Sequence, residues 1–247
     1  MSIQLIGDWP NTSISDADYI VGEVYRSFQL LIGPVLDEKA LPLIVQNDPE
    51  ASCPRALYAK VGVRNHILLN VGSGSRWSQI AFQLSHELTH LLSNHREVQT
   101  HKYKWFEESL CELGSRANLK HMARLWETHG LPDLSSYSHH LDDYVQERER
   151  NTEQVNKFDD WLGRHLPEMQ QNSVLRERND VIAARLLPVF EQSPELWVAV
   201  SFLNTWTPNP ADSLEDYLSD WQHQCPPELQ QPLSRVAERM GTLTEIA

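Results

Sequence analysis

Cysteine, long apolar runs and positive charge are all scarce in this chain, and each scarcity excludes a class of protein. The three cysteines (Cys53, Cys111 and Cys225) are far apart and lack CxxC spacing, which argues against a disulfide framework. No apolar run approaches the ~18 residues of a membrane span, and the N-terminus lacks the pattern of a secretory signal. The net charge of −13 disfavours binding to phosphate backbones. We therefore expect a cytoplasmic protein with neither a membrane nor a nucleic-acid partner.

The residues that are abundant predict an α+β protein that is mostly α. Hydrophobic residues make up 40% of the 247 positions, enough for a sizeable core. A helix is predicted from Asp16, as its N-cap, to Ile32, and short strands are predicted over 41–46, 57–63 and 66–71. From Arg76 onward the pattern is helical. We expect a mixed N-terminal lobe with a short sheet over residues 1–128 and a helical lobe over residues 129–247, in which Trp161, Trp197, Trp206 and Trp221 are core residues.

An HExxH motif lies inside the helix predicted over 76–94. The four-residue spacing places His86 and His90 one turn apart on one face, where two imidazoles can bind one Zn²⁺. On a helical wheel the apolar stripe faces the other way, so the pair is expected to face a cleft. Glu87 is positioned beside the metal rather than on it, which suits a general base acting on metal-activated water.

A catalytic zinc requires a third protein ligand, and the next predicted helix, over 104–128, offers one. Glu108 and Glu112 share the polar side of that helix, one turn apart. Glu108 is the preferred third ligand, and Glu112 is expected to accept the second ring N–H of a ligating histidine. Glu107, which the wheel turns away, and a residue elsewhere in the chain remain alternatives.

This combination resembles the gluzincin metallopeptidases, the thermolysin-like zinc enzymes. HExxH is followed after 18 residues by a glutamate within WFEESLCE, whose matching positions are Trp105, Glu108, Ser109 and Cys111. The resemblance covers about residues 64–120. It implies a zincin-like fold with the zinc ligands His86, His90 and Glu108. It also implies that Glu87 is the catalytic glutamate and that Glu112 is the acidic residue four positions after the third ligand. Ser109 departs mildly from the family, where glycine or alanine is common. The metzincin pattern fits less well because Ser93 and Arg96 replace its glycine and third histidine.

The resemblance also implies a substrate site, because gluzincins usually bind peptide along an edge strand just before the HExxH helix. Residues 64–70 occupy that place, so Ile67, Leu68 and Asn70 are the expected substrate-binding residues, by strand addition. An oxyanion donor is also required. The candidates are His101, Tyr103, Tyr137, His139, His140 and Tyr144. Tyr103 is preferred because it lies between the ligands in sequence.

The expected function is zinc-dependent hydrolysis of peptide bonds in a peptide or protein substrate. Two alternatives remain open. The chain could be a zinc-binding module without activity that regulates or scaffolds a partner, or it could bind no metal at all. Glu87→Gln distinguishes the peptidase from the inactive zinc-binding module, because in the peptidase this variant is expected to keep the metal and lose turnover.

Overall fold

The computed structural model describes residues 2–128 and 130–242, which fall into two units. The first unit contains residues 1–92 and 114–150, and the second contains residues 93–113 and 151–247. Helix α4 (Lys104–Glu127) runs without interruption from the second unit into the first. The division therefore differs from the predicted boundary after residue 128, because residues 130–150 group with the sheet. His129 and residues 243–247, part of the predicted helical lobe, lie outside the described residues.

A four-stranded sheet forms one side of the first unit. Its strands are β1 (Ile3–Gly7), β2 (Leu43–Asn47), β3 (Arg55–Ala56) and β4 (Asn65–Leu69), in the order β1-β2-β4-β3. β1, β2 and β4 are parallel, whereas β3 runs antiparallel to β4. β4 therefore lies inside the sheet, and β3 is the edge strand beside it.

Four helices complete the first unit together with the later part of α4: α1 (Ile14–Ile32), α2 (Val35–Ala40), α3 (Trp77–Leu92) and α5 (Pro132–Asn151). α3 contacts α1, α2, β3 and β4, and is therefore the central helix of this unit. The Ser13 hydroxyl accepts the backbone N–H of Asp16 at 3.1 Å, so Ser13 is the N-cap of α1 and Asp16 lies in its first turn. The prediction of Asp16 as N-cap is wrong by one turn.

The described part of the second unit is helical. After the start of α4 it contains α6 (Phe158–Gln171), α7 (Arg176–Gln192), α8 (Leu196–Val200), α9 (Leu214–Gln224), a 3-10 turn (Pro227–Leu229) and α10 (Gln230–Arg239). Trp161, Trp197 and Trp221 are buried in its core as predicted, whereas Trp206 is half-buried. The Trp221 indole donates to the Ala199 carbonyl at 2.9 Å, which satisfies its one polar atom.

The observed architecture confirms an α+β protein that is mostly helical. The strand predicted over 57–63 is wrong: β3 is confined to residues 55–56, and the chain then turns through Gly62 at φ 64° before β4. β1 and α2 were not predicted, because both are short and β1 is only partly buried. In the part of the chain that the structure describes, no helix combines the length and apolar character needed to cross a membrane.

Candidate metal centre

The HExxH helix α3 is buried along almost its whole length, and its two motif histidines are among the exceptions. Beyond Gln79, every residue of α3 is buried except His86 and His90, which are half-buried. Their ring centroids are 5.1 Å apart. A buried helix backbone fixes the position of both imidazoles, as a pair of metal ligands requires.

Polar contacts with α4 fix the rotation of α3 inside the first unit. The Asn118 amide donates to Ser85 Oγ at 2.8 Å and to the Val24 carbonyl of α1 at 3.2 Å. Ser115 Oγ donates to the Phe82 carbonyl at 2.9 Å. Since Ser85 directly precedes His86, these buried hydrogen bonds orient the helix turn that carries the motif.

Glycine allows the two helices to approach closely one turn further along. A Cβ placed on Gly114 would lie 2.3 Å from Thr89 Oγ1 and 3.4 Å from the Phe28 ring. No side chain larger than hydrogen fits without displacement of Thr89, whose hydroxyl donates to the Ser85 carbonyl at 2.8 Å. Thr89 directly precedes His90, so this contact also fixes the second half of the motif.

Glu87 is bound to the edge of the sheet. Its carboxylate is 2% exposed, and Oε2 accepts the backbone N–H of Ala56 in β3 at 2.5 Å. The next N–H, of Leu57, donates to the His66 carbonyl of β4. Alternate N–H groups of a strand point to opposite sides, so that of Ala56 points away from β4. The carboxylate proposed as general base is thus held at the outer edge of β3.

Three potential ligand atoms converge at the motif. One atom each from His86, His90 and Cys111 all lie within 4.8 Å of one another. Cys111 lies on α4 one turn before Ser115. Imidazole nitrogen and thiolate sulfur both suit zinc, whose tetrahedral sites set such atoms roughly 3.3–3.6 Å apart. The chemistry of the donor set therefore fits this metal.

Glu108, the predicted third ligand, lies outside that group of three. It is half-buried on α4, three residues before Cys111, so both project from neighbouring positions of one helix face. Its assignment as a ligand stays a prediction. The alternative Glu107 is 2% exposed and accepts the Asn204 amide at 2.8 Å and the Lys104 ammonium, a network within the second unit.

Glu112, the predicted partner of a ligating histidine, is buried at 3% exposure. Its Oε1 lies 3.7 Å from Nε of Arg176, at the start of α7. This cation compensates part of the cost of burying the carboxylate. The proposed contact with a histidine ring stays a prediction.

The preferred oxyanion donor, Tyr103, is placed in a packed aromatic cluster. Its hydroxyl donates to the Asp212 carbonyl at 2.6 Å, and its ring stacks on Tyr217 with centroids 4.7 Å apart. Burial, followed by the charges of Asp212 and Asp216, raises the pKa of Tyr103 to about 12. Because the hydroxyl already binds a carbonyl, the structure gives Tyr103 a packing role and does not favour the predicted catalytic one.

The other candidate donors also have structural partners. His101 Nε2 lies 3.2 Å from Asn204 Oδ1, and burial lowers the pKa of this histidine. The Tyr137 hydroxyl contacts the backbone N–H of Ser78 at 3.2 Å, at the start of α3. The Tyr144 ring packs against Phe82 at 5.5 Å between centroids.

The predicted substrate residues on β4 are wrong for strand addition. β4 pairs along its full length with β2, and Ile67 and Leu68 also pair with β3, so their backbone edge is closed. Both side chains are buried. The backbone N–H of Asn70 donates to Gln83 Oε1 of α3 at 3.1 Å, and Asn70 Oδ1 accepts the Gln83 amide at 2.7 Å. Ile67 and Leu68 thus build the interior of the sheet, whose edge strands are β1 and β3.

A second cluster of potential ligands lies on α5. Ligand atoms of His139, His140 and Asp143 lie within 4.8 Å of one another, and all three residues are exposed. The sequence indicated the two histidines only as candidate donors. Their rings are tilted by 39° with centroids 3.9 Å apart, which brings neighbouring side chains to one side of the helix.

Sequence reasoning missed Cys111 and Ala56. Cys111 was quoted only as a small residue of the resemblance, although its position three residues after Glu108 was a signal for a neighbouring donor. Ala56 contributes a backbone N–H, for which a sequence carries no signal. No protein-family model matches the chain, and neither a curated protein nor a solved structure matches it significantly.

Proposed function

We propose that this protein is a zinc-dependent peptidase with a zincin-like catalytic unit. The proposal is carried by one observation: two half-buried imidazoles project from an otherwise buried helix, next to a glutamate anchored on the edge of a sheet. In this proposal His86 and His90 bind the metal from α3 and Glu108 binds it from α4. Glu87 is the general base.

Bound zinc would polarise the scissile carbonyl and make a water molecule acidic enough to attack near neutral pH. Glu87 would accept a proton from the attacking water and transfer it to the amine that leaves. The hydrogen bond from Ala56 fixes one carboxylate oxygen and so orients the carboxylate of Glu87. Burial around Glu87 limits access of bulk water.

The edge strand β3 is the proposed docking edge for an extended peptide. β3 pairs with β4 on one side, and Glu87 is bound from its other side. The Ala56 N–H, the donor on this outer side, already binds Glu87, so a peptide that lies along β3 would meet the Ala56 carbonyl and run past the general base. This placement replaces the one predicted on β4.

The number of ligands on α4 separates the proposed enzyme from a catalytically inactive zinc-binding module. Three protein ligands leave an open position for substrate, whereas four close the site. Glu108 is half-buried and Cys111 is fully buried, so a metal bound through Glu108 is the more accessible to substrate. Simultaneous binding by both residues would make a structural site.

The test compares the chain after chelation, after zinc reconstitution, and as the double variant His86→Asn/His90→Asn. We expect one zinc per chain, hydrolysis of an unfolded protein substrate only with zinc, and loss of both properties in the variant. Stoichiometric zinc without hydrolysis would indicate the inactive module. Hydrolysis that survives chelation would refute a metal mechanism.

A further inference from the structure

The stretch that contains the docking edge has no acidic residue. The chain carries 34 acidic residues in 247, or about one in seven, yet none occurs between Glu50 and Glu87. The same stretch contains four basic residues, Arg55, Lys60, Arg64 and Arg76. A chain with a net charge of −13 therefore presents a local excess of positive charge beside the proposed general base.

Arg55, Lys60 and Arg64 lie on and directly after β3, in residues 52–64, which we name the edge segment. Arg55 belongs to β3 and is exposed, and Lys60 is exposed in the turn that follows. Arg64 is half-buried, and its guanidinium donates to Gln4 of β1. Two of the three positive charges of the edge segment are thus exposed to solvent.

The edge segment also exposes apolar side chains. Tyr58, Val61 and Val63 are 52%, 53% and 76% exposed, three of the most exposed large apolar residues among those described. They are interspersed along the chain with the basic residues. Such a surface offers apolar contacts and positive charge to a ligand that runs along it.

We propose that the edge segment selects extended peptides that combine acidic with apolar side chains. The identification of this ligand as substrate rests on the proposed function. The Debye length at physiological ionic strength is about 8 Å, so a bound acidic side chain interacts mainly with the nearby Arg55 and Lys60, and more distant carboxylates are screened. The acidic residues that precede the edge segment most closely in the sequence are Glu50 and Asp48. Asp48 Oδ1 accepts the backbone N–H of Glu50.

A peptide fits the edge segment better than a nucleic acid does. The outward N–H of β3, that of Ala56, already binds Glu87, so recognition relies on side chains. The exposed Tyr58, Val61 and Val63 offer apolar contacts to the side chains of a peptide. Two exposed cations are few for a phosphate backbone, whose binding relies on many such contacts. An oligonucleotide of equal charge therefore serves as a control ligand.

The experiment measures binding separately from hydrolysis. Binding is measured with Glu87→Gln, because this variant keeps an oxygen that can accept the Ala56 N–H. The ligands are three labelled peptides of equal length that share the same apolar residues and differ only in whether the residues between them are acidic, neutral or basic. Arg55→Glu/Lys60→Glu is compared with Lys157→Glu/Arg164→Glu, which makes the same change of charge at exposed positions in the second unit. Cys53, the exposed cysteine of the edge segment, reports the location of binding by its rate of alkylation.

We expect the acidic peptide to bind most tightly of the three and to slow the alkylation of Cys53. Its affinity should fall at least about tenfold in Arg55→Glu/Lys60→Glu and change little in the control variant Lys157→Glu/Arg164→Glu. Equal affinity for the three peptides, an equal effect of both double variants, or equal binding of the oligonucleotide would overturn the proposal. Binding without cleavage by the zinc-loaded wild type would refute the peptidase alone. Cleavage without charge preference would refute only the selectivity.

Discussion

The close approach of α3 and α4 at Gly114 makes a quantitative prediction about how the candidate site is built. In Gly114→Ala the new Cβ lies 2.3 Å from Thr89 Oγ1, against an ordinary contact of at least 3.4 Å, so one group must move by 3.4 − 2.3 = 1.1 Å. Overpacking of this kind costs about 1–3 kcal/mol. Loss of the bond from Thr89 to the Ser85 carbonyl adds about 1 kcal/mol, and the better helix propensity of alanine returns a similar amount.

We therefore expect Gly114→Ala to lower the free energy of unfolding by about 1–3 kcal/mol, a fall in Tm of roughly 2–10 °C. Gly22→Ala is the matched control, because Gly22 also lies inside a helix but has nothing within 4 Å of an added Cβ. Thr89→Ala should partly rescue Gly114→Ala in a double-mutant cycle. The reasoning is refuted if Gly114→Ala is as stable as Gly22→Ala.

Three further predictions concern the third ligand, the buried network and pH. With Co²⁺ in place of zinc, Glu108→Gln should weaken metal binding, whereas Cys111→Ser should not. A thiolate-to-cobalt absorption band that is present in the wild type and lost in Cys111→Ser would contradict the assignment of Glu108 as the third ligand. Asn118→Ala should cost about 2–4 kcal/mol in chemical denaturation, because three buried polar groups each lose one hydrogen-bond partner. Burial, followed by the charge of Arg124, lowers the pKa of His121, so the unfolded chain binds more protons and stability falls as pH drops below about 6.5. His121→Gln should reduce that fall, and an unchanged pH dependence would speak against it.

Helical periodicity predicted the parts of the site that lie within single helices. The HExxH helix and the helix with Glu108 were predicted to within about two residues, because long apolar repeats dominate their local structure. The wheel also separated His86 and His90 from the apolar stripe. It did not predict that Ser85, Glu87 and Thr89 are buried as well, since neighbouring elements cover the polar side of α3.

Positions that depend on contacts between elements were predicted poorly. Strand order decides whether β4 is an edge, and the two-residue strand β3 that closes it carries too little pattern to be recognised. Tyr103 was chosen for its place in the sequence, but Asp212 and Tyr217, more than a hundred residues later, determine what its hydroxyl binds. Sequence spacing does not carry such long-range partners.

The central claim is that Glu87 acts as a general base on an accessible metal site. The most direct test is the turnover of a peptide substrate by wild type and Glu87→Gln at equal zinc content, with the exposed Glu38→Gln on α2 as the matched control. We predict unchanged zinc binding and a loss of turnover of about 10²–10⁴-fold in Glu87→Gln, with full activity in the control. Equal turnover by wild type and Glu87→Gln would contradict the account.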